Sequence, residues 1–107
     1  MGVECKTPSE AVDLLRNCLS EGAVIPGKHF REELAAEGLV FEDAWLVLKH
    51  GNIFDPPEED IKSGEWKYRV EGYEPGGKWI AVVFCFKAID RAFLITVFSV
   101  ESRRRSR

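Results

Sequence analysis

Apolar residues recur at helical spacing through the first half of the chain and switch to a period of two in the second. Val12, Leu15, Cys18 and Leu19 form one stripe, flanked by Ala11 and Leu14. Ahead of it, Thr7-Pro8-Ser9-Glu10 offers a capping oxygen, a proline at the first helical position and a glutamate three residues after the cap. A helix over residues 8–21 is predicted, ended by Gly22. Ala23-Val24-Ile25 is long enough only for an extended connector or an edge strand, and Pro26-Gly27 stops it. A short second helix, from Lys28 to Glu37, carries Phe30 and Leu34 on one face. The third, Phe41 to His50, places Phe41, Ala44, Trp45 and Leu48 at i, i+3, i+4 and i+7, with Lys49 and His50 in its last turn, where cations suit the dipole.

Asp55-Pro56-Pro57-Glu58-Glu59-Asp60 then interrupts all periodicity with prolines and like charges, and reads as the longest loop. Beyond it Trp66, Tyr68 and Val70 alternate with Lys67, Arg69 and Glu71, the pattern of a strand with one buried and one wet face. Glu74-Pro75-Gly76-Gly77 makes a hairpin turn. Trp79 to Phe86 is apolar without a break, as expected of a central strand, and a second turn near Ala88–Arg91 leads to Phe93–Val100. The expected fold is α+β, with two to three N-terminal helices packed on an antiparallel sheet of three or more strands whose middle member is residues 79–87. Leu15, Leu19, Trp45 and Leu48 are expected to cover that sheet.

The 107 residues, 45% hydrophobic and 31% charged, fit one globular domain over residues 1–101 followed by the basic tail Ser102–Arg107. Cys5, Cys18 and Cys85 are odd in number and widely spaced, with no metal-ligand spacing, so neither a metal nor another cofactor is expected, and reduced thiols suit a cytoplasmic protein. No apolar run approaches the length of a membrane span, and no secretory leader pattern opens the chain. The net charge of −3 hides an asymmetry. Residues 1–61 carry five basic against thirteen acidic side chains, whereas residues 62–107 carry ten basic against five acidic. One half could therefore meet an anionic partner and the other a basic one, or the two could neutralise each other across the fold.

Phosphate-binding loops, nucleophile elbows and zinc-helix motifs are absent from the sequence. What remains is His29 at the opening of its helix, together with Lys67, Arg69, Arg91, the hydroxyls of Tyr68, Tyr73 and Thr96, and the tail arginines Arg103 and Arg104. Metal-free phosphodiester cleavage needs a base, an acid and cations for the charge that develops on phosphorus, and these side chains supply such groups. Lys67 and Arg69, two apart on a strand, share a face.

The order of a histidine at a short helix, then Phe41-Glu42-Asp43-Ala44-Trp45-Leu46-Val47-Leu48-Lys49-His50-Gly51, a basic strand, an apolar strand and a last strand Ile95-Thr96-Val97-Phe98 resembles small bacterial proteins grouped with RelE-like and BrnT-like toxins. The resemblance covers about Ile25 to Glu101. It implies helices packed on an antiparallel sheet, and a metal-independent endoribonuclease that cleaves messenger RNA and is held inactive by an antitoxin protein. It also implies His29 and Arg69 as catalytic residues, with Lys67 and Thr96 binding substrate; Arg91, Arg103 and Arg104 are added as substrate-binding candidates by their charge alone, because a meander lets Arg91 and the tail approach the basic strand. The competing expectation is a catalytically inactive protein-binding module of the same fold. In that reading the acidic half and the Pro56-Pro57-Glu58-Glu59 loop engage a basic partner.

Overall fold

The structure, a computed structural model, describes residues 3–100, so Arg103, Arg104 and the rest of the basic tail lie outside the described residues. Helix α1 (Pro8–Glu21) is followed by strand β1 (Ala23–Pro26), α2 (Lys28–Ala36), α3 (Phe41–His50), the two-residue β2 (Glu58–Glu59), and the strands β3 (Trp66–Tyr73), β4 (Trp79–Ala88) and β5 (Arg91–Ser99). The fold is α+β, as the change of period implies. Each helix starts where its local chemistry supplies an acceptor or an early hydrogen bond. At α1, Thr7 Oγ1 accepts from the Glu10 N–H at 3.1 Å and Glu10 Oε1 accepts from the Thr7 N–H at 2.9 Å, a reciprocal cap. At α3, Asp43 Oδ2 accepts from the Val40 N–H at 2.9 Å, and the Asp43 N–H, for which valine offers no side-chain acceptor, donates to the Val40 carbonyl at 3.0 Å.

The sheet runs β1-β5-β4-β3-β2. The three long strands form the expected antiparallel meander with β4 in the middle. Two short strands extend it. Ala23–Pro26 pairs in parallel with Arg91–Leu94 at one edge, which makes the sheet mixed, and Pro26 denies that edge one donor. Glu58–Glu59 pairs with Trp66–Lys67 at the other edge, so the acidic loop is not wholly irregular. Two residues of ladder cost little even beside prolines, because a sheet edge already offers the partner groups.

All three helices lie on one face of the sheet. Ala11, Leu15, Cys18, Phe30, Leu34, Ala44, Val47 and Leu48 close on Tyr68, Val70, Ile80, Val82, Phe84, Leu94 and Val97 in one core. Leu15 and Leu48 are buried as expected, while Leu19 and Trp45 are half-buried at its margin. The end of α3 comes very close to β3. A Cβ on Gly51 would sit 2.5 Å from the Glu71 carbonyl oxygen, and one on Gly72 would sit 3.2 Å from the Gly51 Cα, so this junction needs two glycines.

The other face of the sheet carries Lys67, Arg69, Glu71 and Tyr73 from β3, opposite Val83, Ala81 and Trp79 of β4. It is not the wet surface that alternation predicts. Glu71 is 1% exposed, Ala81 is fully buried and Cys85 is 2% exposed. Long side chains of the same face, and the segment after α3, fold down over these short ones.

Candidate functional site

A cleft of about 410 Å³ opens on this second face. Its floor and walls come from Lys67 and Arg69 of β3, Val83 of β4, Ile95 and Thr96 of β5, and the 55–58 segment. A β-bulge shapes it: Val83 opposes Thr96 while Phe84 opposes Leu94, so Ile95 is the extra residue of β5 and both it and Thr96 line the cleft.

Three of the residues singled out from sequence, Lys67, Arg69 and Thr96, are thus brought together. His29 and Arg91 are not among the residues lining the cleft. His29 is exposed at the second position of α2, whose Phe30 and Leu34 pack into the core on the opposite face of the sheet. Its helix begins beside β5, where the Gly27 N–H donates to the Leu94 carbonyl at 2.9 Å, and β5 is separated from Arg69's strand by β4. Two strand spacings, about 10 Å, therefore lie between these backbones before the change of face is counted. Arg91 is exposed at the beginning of β5, paired with Ala23 and Ala88. Arg103 and Arg104 fall outside the described residues.

The electrostatics of the cleft follow from who holds Arg69. Its Nε lies 2.9 Å from Glu71 Oε2 and one terminal nitrogen lies 3.3 Å from Asp55 Oδ2. Glu71 in turn accepts from the Trp79 indole N–H at 2.9 Å through Oε1. The carboxylate of Glu71 is buried among an arginine and an indole, which is how a charge survives on the floor of a sheet. Lys67 stands opposite Glu58 in the strand register. The Asp60 carboxyl is held below its ordinary pKa, first by the hydrogen bond from Ser63, with the charge of Lys67 adding to it. Two cations therefore face Asp55, Glu58, Asp60 and Glu71. The surface is balanced to acidic rather than basic.

Beyond Arg69 the face ends in three aromatic rings. Tyr73 meets Trp79 edge to face at 4.8 Å between centroids, and Phe54 lies 6.2 Å from Trp79. The hairpin between Tyr73 and Trp79 is locked by its own glutamate. Glu74 Oε1 accepts from the Gly76 N–H at 2.7 Å and Oε2 accepts from the Lys78 N–H at 2.9 Å. Tyr73 is a candidate from sequence only through its hydroxyl, and neither Glu71 nor the cluster of rings is one. The signal that could have found the rings is the hairpin register, which pairs the residues flanking a five-residue turn, Tyr73 and Trp79.

Among the described residues no group of three histidine, cysteine or carboxylate side chains is placed to hold a metal ion, and no helix is long and apolar enough to cross a membrane. Burial raises the Cys85 thiol above its ordinary pKa, and the Glu65 carboxylate adds to the effect, which leaves it a poor nucleophile. No protein-family model matches the chain, and no curated protein matches it.

Proposed function

We propose that this chain is a catalytically inactive protein-binding module that engages a basic partner through the acidic segment and cleft of the second sheet face. The observation that carries this reading is the double engagement of Arg69 by Glu71 at 2.9 Å and Asp55 at 3.3 Å. A phosphate would have to displace two carboxylates from this cation, one of them buried and left without its charge partner. His29, on the helical side of the sheet, is not set to act with it. The Glu58 carboxylate is exposed at the rim, across the strand register from Lys67, and suits lysine or arginine side chains.

Purified protein incubated with a mixed messenger RNA pool tests the reading. Intact RNA is expected from the parent chain and from the His29→Ala protein alike, together with salt-sensitive binding of cationic peptides that Glu58→Lys weakens. RNA cleavage that His29→Ala eliminates would overturn it.

A second reading draws on the grouping of Lys67, Arg69 and Thr96 in one cleft: a metal-independent endoribonuclease of messenger RNA, restrained by an antitoxin protein. Growth arrest on expression of the chain alone, relieved by His29→Ala or Arg69→Ala, is its expected signature.

A further inference from the structure

We infer that the Phe54–Trp79–Tyr73 ring cluster and the Asp55–Glu58 rim are two ends of one docking groove for an extended peptide, with an arginine of that peptide lying on the rings. The inference rests on the protein-binding reading above and names the chemistry of the partner.

Geometry sets the length. Glu58 pairs with Lys67 at one end of β3 and Tyr73 closes the other, about 20 Å away at the rise of a strand. The cleft lined by Pro56, Val83 and Thr96 occupies the part of the interval from Lys67 to Arg69. An extended segment of about seven residues spans it.

Rigidity argues for a binding surface rather than stray exposed rings. Tyr73 is 52% exposed and Phe54 45% exposed, yet the indole between them is held from below by Glu71 and the hairpin from which Tyr73 and Trp79 project is tied by both oxygens of Glu74. Preorganised aromatic side chains lose little entropy on binding and dominate interface energetics. Charge then selects the occupant. The rings would also suit stacked nucleobases, but phosphates would run along Asp55 and Glu58, which line the cleft. A cationic peptide finds those carboxylates complementary. Arginine suits the ring end better than lysine, because a planar, weakly hydrated guanidinium stacks on an aromatic face.

Calorimetric titration of the full chain with a synthetic peptide of about seven residues, arginine at each end and serine between, tests this. The arginine peptide should bind about tenfold more tightly than its lysine counterpart. Tyr73→Ala and Phe54→Ala, each of which gives up one ring contact with Trp79 and should lower the melting temperature only slightly, should erase that difference. Glu58→Lys should weaken both peptides together. Equal affinity for the two peptides, unmoved by Tyr73→Ala but weakened by Glu58→Lys, would overturn the ring platform and leave the binding-module reading standing. Binding of a single-stranded oligouridine but of neither peptide would overturn both, as would no binding at all. Peptide binding seen only after Arg103, Arg104, Arg105 and Arg107 are changed to alanine would assign the groove to the chain's own tail and overturn the partner peptide.

Discussion

Trp79 donates its indole N–H to Glu71 Oε1 at 2.9 Å, across a hairpin, and Glu71 is 1% exposed. That contact turns a strand glutamate into the foundation of the second sheet face. Its other oxygen meets Arg69 Nε, whose guanidinium reaches on to Asp55. The ring cluster, the cleft wall and the 52–55 segment, which pairs through Asn52 with Glu71, are therefore mechanically one unit.

Arg69→Ala is accordingly expected to cost stability. It strips a buried carboxylate of its charge partner, a change that costs several kcal/mol in full burial. The Arg69 side chain is 37% exposed, so water recovers part of the loss and about 2 kcal/mol is the expected value. His29→Ala, at an exposed position, should stay within about 0.5 kcal/mol. Urea denaturation of the two variants checks both, and a loss on His29→Ala equal to that on Arg69→Ala would contradict the assignment of Arg69 as the structural member of the pair.

The meander and three helices are legible in the sequence because each is specified locally, by a periodic stripe, a cap or a hairpin turn. Thr7 and Glu10 predict a reciprocal cap, and that cap is present. What pattern cannot carry is the fate of the second sheet face. Glu71 alternates with Val70 and reads as wet, yet Trp79 and Arg69 cover it, and only the register of β3 against β4 brings Trp79 within reach. The same limit applies to the candidate site. Lys67 and Arg69 are placed on one face by their spacing, Thr96 joins them through the β4–β5 register, and His29 belongs to a helix whose side of the sheet no local signal encodes.

The burial of α3 gives a paired test. Leu48 is fully buried among the core residues and Leu46, two positions earlier, is 38% exposed. Leu48→Ala should cost about 2–4 kcal/mol and Leu46→Ala less than about 1 kcal/mol, read from chemical denaturation midpoints at constant slope.

At the start of α1, Thr7→Ala removes the acceptor of the Glu10 N–H but keeps the backbone N–H that donates to Glu10 Oε1. A loss of about 1 kcal/mol is expected, and Thr7→Ser should restore most of it because the hydroxyl alone makes the cap. Failure of serine to rescue would show that the threonine methyl, not the hydrogen bond, carries the effect.

Alkaline pH should unfold the domain through groups that are buried protonated. Burial raises the Tyr68 hydroxyl above its ordinary pKa, against the opposing effect of the Lys6 N–H that donates to it at 2.8 Å. Burial also raises the thiols of Cys18 and Cys85. In the unfolded chain the thiols ionise from about pH 8.5 and the tyrosine from about pH 10, while the folded state keeps its protons to higher pH. The unfolded state then binds fewer protons, so stability is complete below the unfolded pKa and falls as pH rises toward the folded one. Urea midpoints measured from about pH 8 to pH 11 should decline in two stages, the thiols first and Tyr68 after them. Tyr68→Phe loses the acceptor for the Lys6 N–H, which lowers stability by about 1 kcal/mol at neutral pH, but it should flatten the second stage. A decline above pH 10 as steep in Tyr68→Phe as in the parent chain would place the titrating group elsewhere.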